Sequence, residues 1–137
     1  MAFGGTVAFS VLFDAPKRAY FHCGLVGALG WISYKLMLYM GLTGFASTIV
    51  ASIVITLASM LLSMKVEIPT TVFLITGIFC IVPGSYIYYT TYNIFTGNSN
   101  LFFFYLEETI KTAIAISLGI TFVYAFAPKI FSLKKSK

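Results

Sequence analysis

A chain of 137 residues that is 59% hydrophobic and 9% charged, with a mean hydropathy of +0.94, has too few polar side chains to cover a water-soluble domain. A bilayer is the solvent that fits, and at roughly 20 apolar residues per span the length allows about four or five membrane helices and no soluble domain of useful size. The net charge of +5 is divided between short connections and a C-terminal tail, which reads as a topology signal and not as a nucleic-acid surface.

The first apolar stretch, Met1 to Phe13, is about as long as a signal-peptide core, but it has no basic leading region and Asp14-Ala15-Pro16 follows in place of a cleavage site. It reads as a short first span. A helix of that length rises roughly 20 Å against a hydrocarbon core of about 30 Å, so either the bilayer thins there or the true start lies upstream.

The second span is predicted from about Ala19 to Leu42, with Pro16 before it and Gly41 at its exit. Ala19, Cys23 and Gly27 repeat every fourth residue, and Gly24 and Ala28 add a second such pair. Small residues at this spacing, Gly24, Gly27 and Gly30 among them, mark a face that another helix approaches closely. Cys23 and Cys80 lie in different apolar segments without CxxC spacing, so they read as packing residues, with no disulfide framework and no metal site.

A connection of two or three residues leads to the third span, about Phe45 to Met64, which therefore forms an antiparallel hairpin with the second. Thr48, Ser52, Thr56, Ser59 and Ser63 fall on one face of it. Such hydroxyls either bond their own backbone and a neighbouring helix or line a wetted path. In both cases the stripe is expected to face protein or water, with Ile53, Leu57 and Leu61 turned towards lipid.

The fourth span is predicted from Pro69 to about Tyr92, with Val82-Pro83-Gly84-Ser85 near its middle. Pro83 cannot donate to Phe79 and Gly84 lowers the cost of unusual dihedrals, so the helix should kink or break there. Tyr86, Tyr88, Tyr89 and Tyr92 follow as an interfacial aromatic belt. After a polar turn the fifth span runs from about Leu101 to Ala127 and carries Glu107, Glu108 and Lys111. No linker or low-complexity run divides the chain, so residues 1–137 read as one all-α membrane domain, a polytopic bundle of four or five spans with the fourth broken at Pro83-Gly84.

Basic residues alternate along this order: Lys17 and Arg18 after the first span, none after the second, Lys65 after the third, none after the fourth, then a lysine-rich tail. The positive-inside rule puts those basic connections and the C-terminus in the cytoplasm.

Charges within spans cost about 2.5 to 3.5 kcal/mol each, so Lys35, Glu107, Glu108 and Lys111 need partners or water. Glu107 and Lys111 have i, i+4 spacing, which allows local pairing with snorkelling. The alternative is a polar site near the outer end of the bundle with Glu108 and Lys35 facing its interior. His22 is left as an interfacial side chain. No hydrolase, zinc-protease or phosphate-loop motif occurs, so an enzyme is not expected. A broken membrane helix instead suggests a transporter, because unwound backbone and helix N-termini can hold charged solutes near the midplane.

Three segments resemble the threonine/serine exporter family, and in particular its small half-transporter subunits: Phe13-Asp14-Ala15-Pro16-Lys17-Arg18, the run from Gly24 to Trp31, and Val82-Pro83-Gly84-Ser85. The resemblance covers nearly the whole chain in order. It implies a multi-pass protein of the bacterial inner membrane that exports threonine and serine or succinate-like dicarboxylates, driven by the proton motive force. It also implies a second, larger membrane subunit as partner, with a homo-oligomer left open and no cofactor. The expected substrate residues are Pro83, Gly84 and Ser85 at the break, joined by Thr56 and Ser59 of the stripe. The competing reading is a structural subunit supporting a partner that carries the path.

Overall fold

The computed structural model describes the backbone of residues 1–135 and the side chains of residues 1–127. The lysine-rich tail read as a topology signal therefore falls largely outside the described side chains. Among the described residues every regular element is helical: α1 (Ala2–Leu12), a 3₁₀ turn (Lys17–Ala19), α2 (Tyr20–Tyr39), α3 (Gly44–Val66), α4 (Thr70–Ile78), α5 (Gly84–Thr96) and α6 (Ser99–Lys135). Three helices are long and apolar enough to cross a membrane, at Lys17–Tyr39, Gly44–Val66 and Ser99–Ala127. The first apolar stretch forms a helix of only 11 residues, and the fourth expected span is divided into helices of 9 and 13 residues.

Local chemistry fixes the helix ends. Thr43 caps α3 by accepting a hydrogen bond from the Ala46 amide at 3.4 Å. At its far end Glu67 turns into the left-handed region at φ 56°, and the Ser63 hydroxyl donates to the Ile68 carbonyl at 2.7 Å. Pro69 then starts α4. Gly97, at φ 69°, makes the tight turn between α5 and α6, a conformation that costs a side-chain-bearing residue more.

Helices α2 and α3 form an antiparallel hairpin with α1 against α2 and α4 packed on both. His22 meets Phe73 at 6.4 Å and Gly77 faces Val26, so α4 runs in the direction of α2. Gly119 lies on Ile49 and Ser52, while Thr112 shares a cavity with Thr43 and Thr48, so α6 runs in the direction of α3. Lys17, Arg18, Lys65 and the C-terminal end of α6 therefore gather at one end of the bundle. At the other end α6 begins about 12 residues, roughly 18 Å, before the level where α3 starts, and α5 packs along this overhang. Tyr105 of α6 stacks on Tyr89 at 5.1 Å and packs on Tyr86 at 6.3 Å.

Small residues and hydroxyls fill the interior. A Cβ on Gly24 would enter the Phe3 ring, one on Gly27 the Thr6 side chain, and one on Gly30 the Ile55 side chain, so this face receives α1 and α3 at close range. Thr48, Ser52, Thr56 and Ser59 are buried, Ser63 is half-buried, and Leu57 and Leu61 are exposed; Ile53 is half-buried. The stripe faces protein because each hydroxyl that turns inward can donate to a backbone carbonyl within its own helix, as Thr56 does to Ser52 and Ser59 to Ile55, both at 2.7 Å. Such a bond satisfies a hydroxyl without water, so the buried members of the stripe can pack against neighbouring helices.

Candidate functional site

The fourth element is interrupted over five residues. After Ile78 its carbonyl accepts from both Ile81 (2.8 Å) and Val82 (3.1 Å), and Gly84 donates to Val82 at 2.8 Å. That last bond closes an inverse γ-turn centred on Pro83, at φ −78° and ψ 53°. Helix α5 restarts with the Ile87 amide donating to the Pro83 carbonyl at 3.0 Å. The expectation of a kink or break is met by a full break: Phe79 still has helical dihedrals, at φ −54° and ψ −26°, but its carbonyl has no amide at Pro83 to accept from, and the regular ladder resumes only at Gly84.

A cavity of about 640 Å³ opens beside the break. Its walls come from four places: Trp31 and Tyr34 of α2, the first turns of α3, the segment from Cys80 to Tyr86, and Glu108, Lys111 and Thr112 of α6. Two helix N-termini border it. The first amides of a helix have no partner in their own helix, so those of Gly44 and Phe45 at the start of α3 and of Ser85 and Tyr86 at the start of α5 are available as donors. Both termini carry partial positive charge.

Charged groups complete the wall. Lys111 Nζ lies 2.6 Å from Glu107 Oε1 and 3.3 Å from Glu108 Oε1. Glu108 and Lys111 line the cavity, whereas Glu107 is 63% exposed and outside it. The cavity is thus lined by one cation, one carboxylate and the first turns of two helices.

Sequence reasoning named some of these residues and not others. Pro83 and Ser85 line the cavity, and Gly84 sits between them with open space where a Cβ would be. Thr56 and Ser59 are fully buried about two and three turns deeper along α3, and Thr48 is the stripe residue that reaches the cavity. Lys35 is not joined to the Glu108 cluster: it is exposed, with Nζ 5.2 Å above the centre of the Trp31 ring. Trp31, Tyr34, Thr112 and the start of α3 were not anticipated. The available sign was the Trp31, Tyr34 and Lys35 spacing, which places two aromatic rings and a cation on one helix face.

The chain matches the family described as Threonine/Serine exporter, ThrE, over residues 1–126, a stretch that includes every wall of the cavity. No curated protein and no solved structure matches it. Helices long and apolar enough to cross a membrane several times accord with that match. The chain belongs to the threonine/serine exporter family, and is a multi-pass membrane protein with exporter-type transport as its activity.

Proposed function

We propose that the cavity at the α4–α5 break is the substrate site of an exporter for a small zwitterionic amino acid. The observation that carries this reading is the pairing of Glu108 with Lys111 and two helix N-termini on one cavity. A substrate ammonium would be held by Glu108, and its carboxylate by the amides of Ser85 and Gly44 with help from Lys111. A hydroxyl on the substrate side chain would find Ser85, Thr48 and Thr112 within the same walls. Pro83 and Gly84 serve by keeping the α5 N-terminus open, and Thr56 and Ser59 by letting α3 pack closely.

A succinate-like dianion suits these walls less well, because the Glu108 carboxylate beside Lys111 would repel its second charge. In this reading the protein lies in the bacterial inner membrane with its basic end and C-terminus in the cytoplasm and the cavity towards the outside. It works with a larger membrane subunit and draws on the proton motive force. A partner surface over α6 would also cover Glu107 and Lys111, which stand 63% and 47% exposed.

The experiment is threonine export and binding by Glu108→Gln and Lys111→Met variants in the presence of the larger subunit. Loss of one charge-assisted hydrogen bond is worth about 1.5 to 3 kcal/mol, so each variant should weaken binding by roughly tenfold to a hundredfold. Unchanged binding and export in both would reject the site. Liposome flux with this chain alone, with the larger subunit alone and with both separates transport through this cavity from a purely structural role.

A further inference from the structure

The charged wall of the cavity belongs to a cluster of three side chains, and the third faces the other way. Around the axis of α6, Glu107, Lys111 and Glu108 fall at roughly 0°, 40° and 100°, so Lys111 stands between the two carboxylates. Glu108, Lys111 and Thr112 line the cavity. Glu107 falls past its edge, on an outward face shared with Phe103, Ile110 and Ile114, all of them exposed.

Lys111 does not divide itself evenly between its neighbours. Its Nζ makes the short contact, 2.6 Å, with Glu107 and the long one, 3.3 Å, with Glu108. Hydrogen bonds between an ammonium and a carboxylate are strong at about 2.7 to 2.9 Å and weaken beyond it, so the carboxylate outside the cavity takes most of the pairing. The one inside keeps acceptor capacity, because an ionised carboxylate offers about four lone-pair positions and Lys111 is the side chain that donates to Glu108 among the described residues. Without Glu107 the same ammonium would have one carboxylate left within reach, the one that faces the cavity.

Resting on the substrate site above, we propose that Glu107 is a positioning residue: it holds the Lys111 ammonium so that Glu108 is free to receive the ammonium of the amino acid. Glu107 itself touches no substrate. In the filled site each carboxylate of the cluster has one cation, Glu107 with Lys111 and Glu108 with the substrate, and the substrate carboxylate is left to Lys111 and the helix amides. The arrangement therefore selects for an ammonium-bearing solute, since a solute without one leaves Glu108 to Lys111 alone.

The test compares threonine with 3-hydroxybutyrate, which keeps the carboxylate and the hydroxyl and has hydrogen in place of the ammonium. Binding of each is measured on the full chain with its larger subunit in detergent, the weaker ligand by competition against labelled threonine. Glu107 is exposed, so its replacement leaves the packing of the bundle intact. Glu107→Gln should weaken threonine by roughly two- to fivefold, the range an exposed ion pair supports, and leave 3-hydroxybutyrate unchanged or tighter. In a Lys111→Met background the same substitution should have no further effect on threonine, because Glu107 acts only through Lys111. Equal weakening of the two ligands, or an undiminished effect in the absence of Lys111, overturns the proposal. Unchanged threonine binding in Glu107→Gln, with weakened binding in Glu108→Gln and Lys111→Met, also overturns it and leaves the substrate site standing. Normal threonine binding in all three single variants removes the site and the positioning role together.

Discussion

Gly119→Ala tests the contact that holds the charged wall of the cavity in place. Helix α6 meets the bundle through α3, along Ala115, Gly119, Val123 and Ala127, all on its buried side. A methyl group at 119 would lie 2.9 Å from the Ile49 carbonyl oxygen and would overlap the Ser52 hydroxyl. The Ser52 side chain can rotate only by giving up its 2.8 Å bond to that same carbonyl, and the carbonyl itself is part of the α3 ladder and cannot turn aside. Restoring ordinary contact at 3.4 Å needs the helices to separate by about 0.5 Å. Overpacking of this kind costs about 1 to 3 kcal/mol and the better helix propensity of alanine returns up to about 1 kcal/mol; because the Ile49 carbonyl cannot give way the cost falls in the upper part of its range, and the net loss is about 2 kcal/mol. Thermal unfolding in detergent reads the loss, and threonine binding reads the displacement of Glu108 and Lys111. Adding Ser52→Ala should recover part of the stability but not all of it, because the Ile49 carbonyl remains. A Gly119→Ala protein as stable as the parent would show that propensity outweighs packing and that α3 and α6 are not in close contact.

Other substitutions probe the remaining joints. Gly27→Ala places a methyl group in the Thr6 side chain and should destabilise by about 1 to 3 kcal/mol in the same unfolding assay, with partial rescue by Thr6→Ala. Pro83→Ala permits the Phe79–Pro83 segment to become helical, so stability should hold or rise while export falls; normal export from this stable variant would detach the break from function. Single cysteines introduced at Lys65 and in the C-terminal tail, in a background lacking Cys23 and Cys80, should escape an impermeant reagent applied from outside the cell, and labelling at either position would reverse the orientation.

Composition and single residues are enough to fix the solvent, the helical class, the basic end of the bundle and the place where the fourth element fails as a helix. Each of these depends on composition or on one residue's covalent chemistry: apolar runs exclude water, lysines resist translocation, and Pro83 has no amide hydrogen. The sequence also marked Gly24, Gly27 and Gly30 as a close-packing face, because small residues at helical spacing have that meaning in any bundle. Tertiary structure decided which polar groups share a space. Glu108 and Lys111 reach the cavity while Glu107 and Lys35 do not, since that depends on the rotation of α6 and α2 about their axes, which i, i+4 spacing leaves open. The same limit hid the roles of Gly77 and Gly119, isolated glycines whose partners, Val26 and Ser52, lie more than fifty residues away in the chain. The inward face of the hydroxyl stripe was legible, but which of its members line the cavity was not: Thr48 does, whereas Thr56 and Ser59 donate to carbonyls of their own helix away from it, and only the packing of α3 against its neighbours decides this.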